Sequence, residues 1–361
     1  MKKIIVSVTN DITTDQRVAK VCNTLHNLGY EILLIGRKLP TSKLLNRKYK
    51  TKRFNLLFNN GFLFYAEYNI RLLLFLLFTK KDLLFSNDLD TLLPNFIISK
   101  LQRKQLIYDS HELFPEIPEL IQRPFVKKVW EKLESIILPK LKNCLTVSQS
   151  IADFYNDKYE TDFKVLRNVP VKKEVQKGVF PFDTQNKKII IYQGAVNLGR
   201  GIELMVNSMH YLKGFIFVIA GVGDVINEIK TLVNEKNLNN SVFFLGRLSP
   251  KDLKKITPLA DLGMSLEEDL GLSYRYSLPN KLFDYIQAEI PVITSDLPEM
   301  RNIVSSYTIG QVVIDRTPES IAKQIESITN ENYSNNLKKA KNELIWENEE
   351  IVLKNILNNL K

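Results

Sequence analysis

Short apolar runs alternate with helix-period stretches along almost the whole chain. Residues 4–8, Ile-Ile-Val-Ser-Val, predict a buried strand that stops at Thr9-Asn10-Asp11. Val18, Val21, Cys22, Leu25 and Leu28 then recur at helical spacing, Gly29-Tyr30 closes the helix, and residues 31–36 are apolar again. Strand, helix and strand in that order mean a parallel, doubly wound sheet. The pattern continues with strands over 82–86, 105–108, 144–147 and 164–167, and helices over 92–101, 125–141 and from 151. Trp130 and Ile136-Ile137 are expected to face inward. Asn168-Val169-Pro170 breaks the pattern and a polar stretch follows. From Lys188 it restarts, with strands over 188–194, 215–221, 242–247, 261–266, 292–294 and 312–314. The expected organisation is two doubly wound, Rossmann-like α/β domains over 1–167 and 188–344, a linker over 168–187, and a terminal helix over 345–361.

One stretch departs from this rhythm. Residues 37–53 carry Arg37, Lys38, Lys43, Arg47, Lys48, Lys50, Lys52 and Arg53, and are followed by the apolar run 54–78, bounded by Lys80-Lys81. Glu67, Asn69 and Arg71 leave too short an uninterrupted segment to span a bilayer. Apolar residues beside clustered cations suit a helix lying at a membrane surface.

Charge sharpens that reading. The chain of 361 residues has a net charge of +10, and residues 1–170, with 27 Lys and Arg against 17 Asp and Glu, hold all of it. A basic first half favours anionic partners. Two cysteines, Cys22 and Cys144, have neither metal-ligand spacing nor the density of a disulfide framework, which fits a reducing cytoplasm. The first apolar run is too short for a leader peptide and reads as a strand.

Candidate chemistry gathers at predicted strand ends, where open α/β sheets bind ligands. Asp109, His111 and Glu112 follow the strand over 105–108, and Asp88 and Asp90 follow that over 82–86. Asp88 and Asp90, like Asp11 and Asp15, are expected to cap helices; Asp88-Leu89-Asp90 is only formally an Asp-x-Asp metal signature. Gly194, Asn197, Gly199, Arg200 and Gly201 make a strand–loop–helix turn in which backbone can approach a ligand and Arg200 can fork onto phosphate oxygens. Gly221-Val222-Gly223 lacks the third glycine of a dinucleotide fingerprint, so NAD is not indicated. In Ser277-Leu278-Pro279-Asn280-Lys281-Leu282-Phe283-Asp284-Tyr285, a helix starts around Pro279. Lys281 sits in its first turn, where the macrodipole opposes a cation, so an anionic ligand is expected to offset it.

The run 278–285 followed by Pro291-Val292-Ile293 resembles the donor-binding helix of the GT-B glycosyltransferases, in particular family 4, the glycosyl transferases group 1. The resemblance runs in order over nearly the whole chain, through Asp15-Gln16-Arg17-Val18, Asp109-Ser110-His111-Glu112, the Arg200 loop and Val242-Phe243-Phe244-Leu245-Gly246-Arg247. It implies two domains facing across a cleft, with 345–361 returning toward the first. It implies that Asp284 meets the nucleotide ribose, that Gly246 and Arg247 lie near the base, that Gly194, Asn197, Leu278 and Asn280 help bind the donor, and that His111 lies near the reacting sugar. There are departures. Tyr276 stands where many members carry the first Glu of a Glu-x7-Glu pair, and Ala195 where they carry the Arg of an Arg-x4-Lys pair, with Arg200 at the Lys position. The first loop lacks a Gly-Gly pair.

The implied activity is transfer of a sugar from a UDP- or GDP-linked donor to a glycan or lipid-linked acceptor in bacterial cell-surface polysaccharide synthesis, retaining and metal-independent, with His111, Arg200 and Lys281 as catalytic residues. No cofactor besides the donor co-substrate and no nucleic-acid partner is expected. The expected location is cytoplasmic, peripheral at the inner face of an anionic membrane. Tyr276 and Ala195 leave open a non-catalytic GT-B subunit that binds a nucleotide-sugar; a sugar-nucleotide epimerase is the third reading.

Overall fold

The computed structural model describes residues 1–360 apart from 14, 118, 119, 121 and 122. The chain divides into two compact units: residues 1–168 with 349–361, and residues 169–348.

The first unit is built on seven strands: β1 Lys3–Ser7, β2 Glu31–Lys38, β3 Lys50–Asn55, β4 Leu83–Asn87, β5 Gln105–Ser110, β6 Asn143–Thr146 and β7 Phe163–Val165. Every pairing is parallel and the order is β3-β2-β1-β4-β5-β6-β7. The helices are α1 Gln16–Asn27, α2 Gly61–Phe78, α3 Leu89–Leu101, α4 Pro124–Ile137 and α5 Gln149–Tyr159. β1 and β4 are buried throughout their middles because both sheet faces are covered. β3 begins within the basic stretch, where the sequence pattern named no strand. It is the edge strand, and its alternating lysines keep an exposed edge soluble.

Asp15 caps α1, accepting from Val18 N–H at 2.9 Å, and Gly29 at φ +85° ends it. Asp11 does not cap; its carboxylate takes Thr13 N–H and Ser42 Oγ and so ties two loops together. In α4, Ile137 is buried but Ile136 faces solvent, against the inward expectation, and Trp130 is half-buried against Tyr65 and Phe114.

The second unit repeats the architecture with β8 Lys188–Gln193, β9 Phe215–Ala220, β10 Val242–Phe244, β11 Leu262–Ser265, β12 Val292–Ser295 and β13 Gly310–Val313, ordered β10-β9-β8-β11-β12-β13, all parallel. Its helices are α6 Ile202–Ser208, α7 Ile226–Glu235, α8 Pro250–Ile256, α9 Leu272–Arg275, α10 Asn280–Gln287, α11 Pro298–Tyr307, α12 Pro318–Asn330 and α13 Ser334–Glu343. The last helix, α14 Trp346–Asn359, carries Glu349 and Glu350 into the first unit, where they meet Arg167 and Thr24. In each sheet the winding direction reverses beside the first strand, at β1/β4 and at β8/β11. Those are the switch points at which open α/β sheets receive ligands.

Candidate functional site

In the second unit, the switch point holds both cations singled out by sequence. β8 ends in Gln193-Gly194, and the loop to α6 swings Arg200 over the end of β11. That approach needs glycine. A Cβ on Gly201 (φ +69°) would lie 2.1 Å from the Leu266 carbonyl, and Glu268 N–H donates to the Gly199 carbonyl at 2.8 Å. The two loops are thereby locked backbone to backbone, with Arg200 beside Glu267.

Lys281 arrives from the other side, on the second residue of α10; Pro279 stands just before that helix, at its N-cap. Its Nζ lies 2.8 Å from Glu267 Oε1, and Arg200 Nη1 lies 3.9 Å from the same oxygen. Glu267 is fully buried, and its other oxygen accepts from Ser265 Oγ at 2.7 Å. Burial would raise its pKa, but the Lys281 ammonium and the hydrogen bonds from Lys281 and Ser265 outweigh burial and hold it below the usual carboxylate range. Lys281 also lies 4.0 Å above the Tyr192 ring, and Arg200 4.8 Å from the Tyr274 ring centroid. The offsetting anion expected for Lys281 is thus supplied within the chain. Arg200 keeps an unanswered group: its Nε is buried without a hydrogen-bond partner. An orphaned guanidinium N–H is costly unless something accepts from it.

Gly194 (φ +132°) brings backbone against this cluster; a Cβ there would lie 3.9 Å from Lys281 Nζ. Asp284, three residues after Lys281 on α10, takes Gln193 Nε2 at 2.8 Å, and Gln193 Oε1 accepts from Thr257 Oγ at 2.8 Å. Tyr285, next to it, is fully buried and bonds to Gln193 N, Ile191 O and Met264 O, its ring lying flat on Gly263, where a Cβ would come within 2.3 Å. This network fixes the rotation of α10, and hence where Lys281 and Asp284 point. Asn280 opens α10, and Leu278, just before it, is buried as packing. Tyr276 closes α9, its N–H on Leu272 O at 3.0 Å. Asn197 accepts from Asp224 N–H at 3.3 Å, which ties the Arg200 loop to the turn after β9. Gly246 (φ +64°) and the exposed Arg247 leave β10, the edge strand, two strands away from β8.

The first unit has its own cluster at its switch point. Asp109 lies within β5 rather than in the loop expected after Tyr108. Arg17 grips it twice, Nε at 3.0 Å and Nη2 at 2.6 Å, both groups buried. His111 sits between carboxylates, Nδ1 3.1 Å from Asp88 and Nε2 3.4 Å from Asp109. Burial disfavours a charged imidazole, but Asp88 and Asp109 together raise its pKa well above 6.5. The two carboxylates thus favour the protonated imidazolium. Asp88 does not cap α3 with its side chain. It stands at the N-cap position with φ +58°, and its carboxylate turns to the His111 N–H at 2.8 Å. Asp90 lies inside the first turn of α3, buried and bonded to Thr9 Oγ. Burial, then the neighbouring Asp88 charge, push its carboxyl up to about 8.

Residues 176–344 match the family described as glycosyl transferases group 1. The matched stretch lies within the second unit. Among solved structures, a sucrose-phosphate synthase from Thermosynechococcus elongatus is similar over 100% of this chain and 99% of its own, at 16% identity and a TM-score of 0.80. Anabaena HepE, solved in complex with UDP and glucose, aligns over 100% and 99% at 14% identity and a TM-score of 0.71. The fold is therefore the GT-B type, two Rossmann-like α/β domains. A chitobiosyldiphosphodolichol beta-mannosyltransferase of Candida albicans is 22% identical over 60% of this chain. The matches cover 36% and 52% of the lengths of the curated relatives.

Sequence reading placed Arg200 and Lys281 together but missed Glu267. It also missed Arg17 and Gln193. The available signal for Glu267 was its position directly after an apolar strand, the same position that drew attention to Asp109 and His111.

Proposed function

We propose that the chain is a glycosyltransferase that moves a sugar from a nucleotide-diphosphate sugar to a glycan or lipid-linked acceptor. The observation that carries this reading is the convergence of Arg200 and Lys281 at the β8/β11 switch point, with the Arg200 Nε–H left without an acceptor. A diphosphate supplies that acceptor and the negative charge that two cations around one carboxylate still lack. Asp284 is assigned to the ribose by the family resemblance. Anabaena HepE, solved with UDP-glucose, supports a nucleotide-linked donor.

In this reading the two cations stabilise charge building on the departing diphosphate, so no divalent metal and no further cofactor is needed. The leaving phosphate assists deprotonation of the acceptor hydroxyl, with retention at the anomeric carbon. His111, held between Asp88 and Asp109 with both ring nitrogens facing carboxylates, contributes positive charge and orders the two acids rather than abstracting a proton. The basic first unit supports a peripheral contact with an anionic membrane at the cytoplasmic face, and so a role in surface polysaccharide synthesis. The absence of carboxylates at Tyr276 and a cation at Ala195 keeps a donor-binding, non-catalytic subunit as the second reading.

Thermal shift of the purified full chain against UDP, GDP and their sugars is the first test, since a ligand of the folded state raises Tm. No response to any nucleotide removes the donor site. Binding without donor hydrolysis or transfer to any acceptor favours the non-catalytic subunit.

A further inference from the structure

α2 is held to its sheet by Phe64, Tyr68, Leu72 and Leu76, all buried, with Tyr68 OH donating to the Val8 carbonyl. The face opposite should be polar in a surface helix. Instead Ile70, Leu74 and Phe78 stand on it at four-residue spacing, 59%, 53% and 83% exposed, continuing to Phe62 and Leu63 at the N-terminal end. The helix is long and apolar enough to cross a membrane. It cannot do so here, because one side is locked to the sheet between β3 and β4, so it lies along the surface.

The neighbouring helices share the anomaly. α3 runs beside α2 in the same direction, with Asn69 Nδ2 on Asp90 O at 2.9 Å and Gln102 Nε2 on Leu77 O at 2.9 Å. Leu93, Ile97 and Leu101 form an exposed stripe on it, again four residues apart. α4 packs against α3 and joins α2 through Tyr65 and Trp130, ring centroids 5.3 Å apart, and it exposes Phe125 and Val129. The three helices follow the rightward steps β3 to β4, β4 to β5 and β5 to β6, so right-handed crossovers set them on one face of the sheet. That face is an apolar layer spread over three adjacent helices, larger than isolated surface leucines would make.

Its rim is basic. Each helix is followed by two cations, Lys80 and Lys81, Arg103 and Lys104, Lys140 and Lys142, and the only acidic residue among these exits is Asp82. At the first two exits a cavity of 480 Å³ is lined by Lys3, Lys80, Lys81 and Lys104 together with Phe78. Lys81 itself is occupied, bonded to Thr79 O and Gln102 Oε1, whereas Lys80 is exposed.

We propose that the outer face of α2, α3 and α4 docks on an anionic phospholipid bilayer, with the apolar stripes in the acyl boundary and the lysine rim on lipid phosphates. This deepens the membrane contact in the proposed function and rests on it. Apolar side chains bordered by cations match an interface of hydrocarbon beneath anionic head groups. A second copy of the chain fits less well, because pairing these faces would set one basic rim against another.

The test is co-sedimentation of the full chain with phosphatidylcholine vesicles, with and without phosphatidylglycerol, at low and physiological salt. Binding is expected to need the anionic lipid and to weaken with salt. Leu74→Glu with Phe78→Glu, both solvent-facing, is expected to cut binding at least tenfold with Tm unchanged. Lys80→Glu with Lys104→Glu should abolish the preference for anionic lipid. Three results would overturn the proposal: no binding to anionic vesicles at low salt, unchanged binding in Leu74→Glu/Phe78→Glu, or a lipid-indifferent dimer that the same pair turns into a monomer. Nucleotide thermal shift on the same samples separates this from the donor reading. A chain that binds vesicles but no nucleotide fails as a transferase while keeping this surface. One that binds nucleotide but no vesicle fails the reverse way.

Discussion

Arg200 Nη1 and Lys281 Nζ point at the same atom, Oε1 of the buried Glu267, at 3.9 Å and 2.8 Å. The carboxylate holds two like charges near each other in the ligand-free protein, and it leaves the trio with one net positive charge. Under the proposed function, an arriving diphosphate would find cations already placed, so little of its binding energy would be lost to ordering them.

Breaking this trio should separate stability from function. Lys281→Met leaves Glu267 buried without its ammonium, a loss of about 3–5 kcal/mol for a broken buried pair. Adding Glu267→Gln should restore much of the stability but not donor binding. Denaturant unfolding and nucleotide thermal shift on both variants check this; recovery of both properties together would mean that Lys281 serves packing alone.

Arg200 is partly exposed, so Arg200→Ala should fold normally. Transfer or donor hydrolysis should fall by roughly 10²- to 10³-fold, the scale seen when one preorganised charge-stabilising donor is removed. The loss should appear in kcat at saturating donor. A change in KM alone would make Arg200 a binding residue.

Gly201→Ala is expected to be harmful although no side chain is lost. The new Cβ would meet the Leu266 carbonyl, and φ +69° is strained for alanine. About 1–3 kcal/mol of stability should go, and donor binding should weaken with it, because the same backbone contact sets Arg200 beside Glu267. Unfolding midpoints and nucleotide affinity measured together test that coupling.

Asp90 and His111 predict a stability that drains away on the alkaline side. An acid whose folded pKa is raised to about 8 contributes stability in full only below its unfolded value, about 3.9, and loses it as pH climbs through 8. Asp90→Asn should therefore gain on the parent between pH 4 and pH 9, by at most about 1.4 kcal/mol per pH unit. His111, with a raised folded pKa, contributes fully below 6.5 and loses that contribution as pH rises through the folded value. His111→Gln should thus be most destabilised near pH 6 and approach the parent at high pH. Urea unfolding free energies across this range test both signs.

Much of the fold was legible because each element carries its own period. β1, β4, β8 and β9 are unbroken apolar runs, and α1 is an apolar stripe between Asp15 and Gly29, so winding and parallel pairing follow from local sequence. β3 was not legible, since an edge strand alternating lysine with threonine and arginine has the composition of a loop. The outward apolar face of α2 was visible only as an apolar run, because its four-residue stripes on opposite sides cancel in any periodic signal.

Arg200 and Lys281 were readable as residue types beside glycines and a helix start. Their shared partner was not. Glu267 belongs to a run of three acids in the sequence, yet it is fully buried beside the contact of Gly201 with Leu266. The roles of Asp88 and Asp109 were hidden for a similar reason: capping is a local rule, whereas the positive φ at Asp88 and the distant Arg17 redirect both carboxylates.

The sequence by itself determined the two doubly wound units and the loops where chemistry would gather, since these follow from periodicity and the handedness of crossovers. Tertiary structure alone decided which charges meet and which are buried. Burial and pairing depend on residues far apart in the chain coming within a few ångströms, and no local pattern encodes that distance.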